Sequence, residues 1–154
     1  MTLHPDFPVV TDNYPMTKDW TAVLPVAFNR RIEDGSLVLW RPDLTFWINV
    51  WNNDAMLSID EQLGRILGSA SAERSDEQIE RGDALVRLTY ELPDEDPERP
   101  ASDCSAISAH VISPSGYVQI SAHYDTPEAR TLGYQIIHSI TQTQATAPPL
   151  GLCK

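Results

Sequence analysis

His110, His123 and Asp125 are the side chains of this sequence best suited to act together chemically. The two histidines fall in alternating runs, Cys104 to Ile112 and Tyr117 to Tyr124, separated by Pro114-Ser115-Gly116. That spacing predicts a hairpin. Two histidines on one hairpin face could share a metal ion. The register that buries Ile107, Ala109 and Val111 beside Val118, Ile120 and Ala122 sets His110 near Gln119, however, and leaves His123 on a diagonal. No third histidine or cysteine follows at a zinc spacing. Solvent-facing strand histidines are therefore expected, and no metal. Ser121, His123 and Asp125 are also the residue types of a hydrolase triad, but neighbours two apart on a strand point in parallel and do not produce that geometry. There is no Gly-x-Ser-x-Gly elbow. Glycine-rich phosphate cradles are absent as well, and no cofactor is expected. The many carboxylates lack an apolar setting that would mark a general acid. These signals point away from an enzyme.

Binding is better supported. Trp40, Trp47 and Trp51, three of the four tryptophans, lie between Leu37 and Asn53. From Leu44 to Trp51 large residues occupy both sides of one extended segment. Trp47, Asn49 and Trp51 alternate on one face, and Phe46, Ile48 and Val50 on the other. Such a strand belongs in the middle of a sheet. Its tryptophans can serve as core; because tryptophan is enriched at binding hot spots, Trp47, Asn49 and Trp51 are also candidate binding residues. A second candidate is the proline-rich loop Pro93 to Pro100, whose Asp94, Glu95, Asp96 and Glu98 either form a solvated turn or meet a basic partner.

The elements that position these residues follow from the rest of the pattern. At 154 residues the chain is about one domain long. Residues 1–17, with Pro5, Pro8 and Pro15, read as an extended N-terminal arm. A single domain over 18–143 and a loose tail over 144–154 complete it. Trp20 to Leu24 and Val26 to Ile32 read as short strands broken by Pro25. Asp34-Gly35 is a tight hairpin signal, and Ser36 to Arg41 and Leu44 to Asn52 continue the meander. Ser58-Ile59-Asp60-Glu61 fits a capping box, ahead of the helical stripe Ile59, Leu63, Ile66, Leu67 and Ala70. Ser69 to Gly82 is open to reading as helix, short helix or loop. Ala84 to Leu92 alternates as a half-buried strand. Thr126-Pro127-Glu128 starts a second helix, with Ala129, Leu132, Gly133, Ile136, Ile137 and Ile140 on its apolar side. The expectation is an α+β domain: a six- or seven-stranded, mainly antiparallel sheet, with Leu44 to Asn52 near the centre and both helices on one face.

A formal net charge of −11 disfavours nucleic acid and anionic membranes, which are held by basic patches. It suits solubility, or a basic protein partner. Met1 to Pro15 lacks the cationic start and apolar core of a secretory leader. No apolar run approaches a membrane span. A cytoplasmic protein of bacterial style is expected. Cys104 and Cys153 read as two independent thiols.

The order strands, helix, strands, long final helix resembles the PsbP-type fold. Leu37-Val-Leu-Trp-Arg-Pro and Tyr117-Val-Gln-Ile-Ser-Ala-His-Tyr-Asp-Thr-Pro-Glu-Ala carry the likeness. That fold is shared by a photosystem accessory protein, a small nuclear Ran-GTPase-interacting protein and several bacterial proteins of unassigned role. The arrangement also resembles small bacterial cytoplasmic domains, some of which act as toxin-immunity or adaptor proteins. The resemblance implies an antiparallel sheet with flanking helices and no common catalytic residues. The function expected is a non-enzymatic cytoplasmic protein-binding module, an acidic inhibitor, immunity protein or adaptor. The alternative is a small-molecule-binding protein or enzyme with a pocket near the tryptophan-rich strand. A homodimer through a sheet edge or the tryptophan face is a third possibility.

Overall fold

Two four-stranded meanders, each followed by a helix, meet at a long antiparallel seam. The computed structural model describes residues 2–93 and 104–142. The elements run β1 (Val9–Pro15), β2 (Trp20–Glu33), β3 (Ser36–Arg41), β4 (Leu44–Asn52), α1 (Ile59–Gly68), β5 (Ser75–Arg81), β6 (Val86–Pro93), β7 (Cys104–Ser113), β8 (Gly116–Tyr124), α2 (Pro127–Ser139) and β9 (Thr141–Gln142). The sheet order is β1-β2-β3-β4-β8-β7-β6-β5, with β9 added beside β2. Every pairing is antiparallel. The α+β class and the central place of β4 are as expected, and the described sheet has nine strands rather than six or seven.

Local chemistry explains most boundaries. Asp34 and Gly35 both take positive φ, 50° and 84°, the conformation that a two-residue hairpin matching strand twist requires. Ser58 Oγ accepts from the Glu61 amide, and Glu61 Oε1 accepts from the Ser58 amide. Thr126 caps α2 through the Ala129 amide, with Pro127 in the first turn.

Pro25 does not break β2. The β1–β2 register shifts between Val10 and Asp12, and the proline sits in the resulting bulge, where no ladder hydrogen bond needs its missing N–H. Part of the N-terminal arm is itself edge strand β1. Ahead of it, Asn29 clamps the chain: its amide donates to the carbonyls of His4 and Phe7, and its Oδ1 accepts from the His4 amide.

The helices do not share a face. Ile107, Ala109 and Val111 of β7 pack with Ile136, Ile137 and Ile140 on one side. On the other side, Ile112 of β7 and Val86, Leu88 and Tyr90 of β6 pack with Leu63 and Ile66 of α1. Successive strand residues point to opposite faces, so α1 and α2 lie on opposite sides of the sheet. The start of β2 bends over α2: Trp20, Ala22 and Leu24 join its core, and Ser139 Oγ accepts from the Val23 amide. Arg87, from β6, donates to the Ile140 carbonyl at the end of the same helix. As a result β6 is buried on both faces, and Thr89 and Glu91 are enclosed rather than solvent-facing.

Ser75–Arg81 forms edge strand β5, exposed along its whole length. Its acidic and basic side chains protect the open edge. No described helix is long and apolar enough to cross a membrane.

Candidate binding face and cleft

β4 divides two environments. Leu44, Phe46 and Ile48 are sealed against the α2 side. Trp47 and Asn49 are half-buried on the α1 side, and Trp51 is 50% exposed. The sequence-predicted residues Trp47, Asn49 and Trp51 therefore do share a face, one that α1 leaves partly uncovered. α1 packs over β6 and the end of β7, two strands away from β4.

The open half has its own internal order. Arg31 lays its guanidinium carbon 4.5 Å from the Trp40 ring centre and 5.7 Å from that of Trp47. Beneath it Val38, paired with both Arg31 and Trp47, is fully buried. Phe7 from the N-terminal arm meets Trp40 edge-on at 4.9 Å. Asn49 Oδ1 accepts from the Ser36 hydroxyl, and the Trp51 indole N–H donates to Gln119 Oε1 at 2.9 Å. These aromatic side chains are held in place before any partner arrives.

Beside Trp51 the face deepens into a cleft of about 540 Å³, within the size range of small-molecule sites. One wall is the α1 stripe Gln62, Arg65, Ile66 and Ser69, at helical spacing. The floor holds His110, Tyr117 and Gln119, and Trp51, Asn53 and Leu57 close the other side. Of the three predicted binding residues only Trp51 reaches this cleft. A second hollow of about 430 Å³ continues along β8, where Ser121 and His123 take over from Tyr117 and Gln119.

The histidines separate as the register requires. His110 pairs with Gln119, and His123 with Ala106. His123 is exposed, but His110 is 5% exposed, a correction to the expectation that both face solvent. Its ring lies between Tyr90 and Tyr117, with centroids at 6.5 and 5.7 Å. Burial holds its pKa down to about 4, so it is neutral at pH 7. Its Nδ1 is sealed from solvent with no hydrogen-bond partner, an omission that costs about 1–3 kcal/mol. Sequence reasoning missed this because His110 sits in a polar row, and nothing local says that α1 covers its end. Among the described residues no three His, Cys, Asp or Glu side chains stand close enough to hold a metal ion.

The other face carries a satisfied polar group. Glu91, buried on β6, accepts from Tyr124 Oη at 2.7 Å, Tyr134 Oη at 2.8 Å and Arg130 Nε at 3.1 Å, with a further contact from Arg130 Nη2. Burial pushes its carboxyl up, but these donors outweigh it and hold the pKa below the usual value. This cluster anchors α2 to the sheet. The acidic candidates Asp94, Glu95, Asp96 and Glu98 lie outside the described residues.

In comparisons with known proteins, the sequence matches no family model and no curated protein.

Proposed function

We propose that this chain is a non-catalytic binding protein that takes a protein partner on the open half of the α1 face, with Trp47 and Trp51 at the centre of the contact. The observation behind this reading is the uneven cover over β4. One side of the strand is sealed by α2, while the other presents two tryptophans and an asparagine to solvent or partial solvent. An exposed aromatic patch, rimmed by polar groups and already ordered, is the usual form of an interaction site. The net charge of −11 favours a partner with a basic surface, which it would draw in at low salt. An inhibitor, immunity or adaptor role in the cytoplasm, on a PsbP-type scaffold, fits that chemistry.

The test is a photo-crosslinking residue placed at Asn49, compared with one at Gln135 on the exposed side of α2. The expected result is a protein captured from position 49 and not from 135. Its affinity for the purified chain should fall at least tenfold with Trp51→Ala, a loss typical of a hot-spot aromatic, and weaken with salt. Identical adducts from both positions, or an affinity indifferent to Trp51, would refute the reading. A crosslink to a second copy would make the face a dimer interface instead.

A further inference from the structure

The cleft between α1 and the β7–β8 end has features that a protein-docking face does not need. It is concave, about 540 Å³ in volume, and walled by Trp51 and Tyr117 as well as Ile66. Trp51 cannot swing freely, because its indole N–H is tied to Gln119. His110 in the floor is 5% exposed, and its unpartnered Nδ1 is sealed from solvent, so it shapes the cleft without offering that nitrogen to a ligand. Among the described residues, the cationic group at this cleft left without a protein partner is the exposed Arg65. The remaining described arginines each engage a carboxylate or a tyrosine hydroxyl. Arg65 makes no side-chain hydrogen bond and no ion pair within 4 Å, and acts only at a distance on Glu61, one turn earlier. An unpaired guanidinium is conspicuous in a chain of net charge −11. Among the described residues that line the cleft, Asp54 is the one carboxylate.

We propose that this cleft binds a small aromatic carboxylate, its ring against Trp51 and Tyr117 and its carboxylate on Arg65. Guanidinium and carboxylate match in planar, two-point geometry, and tryptophan and tyrosine faces favour offset stacking with an aromatic ring. Arg65 lies one helical turn from Ser69 and Gln62 on the same stripe, so the charged and hydrogen-bonding groups converge from one wall. The cleft shares Trp51 with the proposed docking face but does not need a protein partner: its other walls come from α1 and β8, whereas the docking face runs on to Trp47.

The probes are 2-naphthoate and its neutral counterpart 2-naphthamide. Binding is read by titration calorimetry and by the Trp51 indole N–H resonance, assigned with Trp51→Phe. The expected result is one naphthoate per chain at millimolar affinity or better, with the Trp51 resonance shifted, and weaker binding of the amide. Arg65→Gln, on an exposed helix position, should weaken naphthoate about tenfold and leave the amide unchanged. If naphthoate gives neither heat nor a Trp51 shift at millimolar concentration, the proposal falls. It falls too if naphthoate binds equally to the Arg65→Gln chain, or binds while the Trp51 resonance stays still.

Discussion

Glu91 on one face of the sheet and His110 on the other are both buried, and the two faces treat them in opposite ways. On the α2 face Glu91 is surrounded by donors from Tyr124, Arg130 and Tyr134. On the α1 face His110 is buried to a similar degree and left with an unsatisfied nitrogen. The α2 face has a continuous apolar lining from Trp20 to Ile140. The α1 face has a small apolar cluster under the helix, and beyond it a row of half-covered aromatics. One side is built to hold the chain together. The other carries features that stability alone does not require: an orphaned imidazole, an unpaired arginine and exposed tryptophan.

Adjacent residues of β4 test that division most strongly. Phe46→Ala should destabilise the protein by about 3–5 kcal/mol, the range for emptying a buried aromatic site. Trp47→Ala, one residue along and a larger truncation, should cost only about 1–2 kcal/mol, because its side chain is half-covered. Urea unfolding of the two variants measures both. Equal losses would mean that the tryptophan row is core after all.

Acid should separate the faces next. Burial lowers the His110 pKa to about 4 from an unfolded value of 6.5. The unfolded chain therefore binds the extra proton first, and stability falls as pH drops through that window, by up to about 3 kcal/mol at its lower end. His110→Phe should flatten the unfolding free energy between pH 6.5 and 4. Glu91, with a depressed pKa, stabilises above its unfolded value of 4.5 and loses that contribution only as pH falls further. A parent whose stability stays level between pH 7 and 4.5 would contradict the burial of His110.

The smallest expected effect is at the open end of the strand. Trp51→Ala should change stability by no more than about 0.5 kcal/mol, while removing partner affinity. A large fall in melting temperature would place Trp51 in the structural half of the molecule.

Much of the scaffold was legible in the sequence because its signals are local. Asp34-Gly35, Ser58 with Glu61, and Thr126-Pro127 each specify a backbone geometry within four residues, and each holds. The β7–β8 register was legible because a slip by one residue would turn Gln119, Ser121 and His123 into the core in place of Val118, Ile120 and Ala122. The side on which each helix lies was not legible. The α1 stripe of Ile59, Leu63 and Ile66 needs an apolar surface, and both faces of β4 offer one. That α1 instead rests on Val86 and Leu88 depends on β8 docking beside β4, which carries β6 outward. Strand β5 escaped detection because an exposed, charged edge has no apolar period. Trp47, Asn49 and Trp51 could be named from alternation alone. Arg65 could not, and His110 reads only as a strand histidine facing solvent, since the cleft they share exists only where α1 crosses the strand ends.

The seam between the meanders also bears on how the chain is made. All nine residues of β4, from Leu44 to Asn52, pair with β8, ending at Asn52 opposite Gly116. Gly116 has φ of 143°, and a Cβ there would lie 2.0 Å from the Trp51 carbonyl oxygen, so the close approach depends on glycine. On a ribosome β4 emerges first and its partner much later. At about 5–20 residues per second, the tryptophan strand waits for several seconds with one edge and both faces open. A nascent chain in that interval displays an unpaired aromatic edge of the kind that invites aggregation. Production yield should therefore depend on elongation speed through residues 53–124, and on what shelters β4 until β8 arrives.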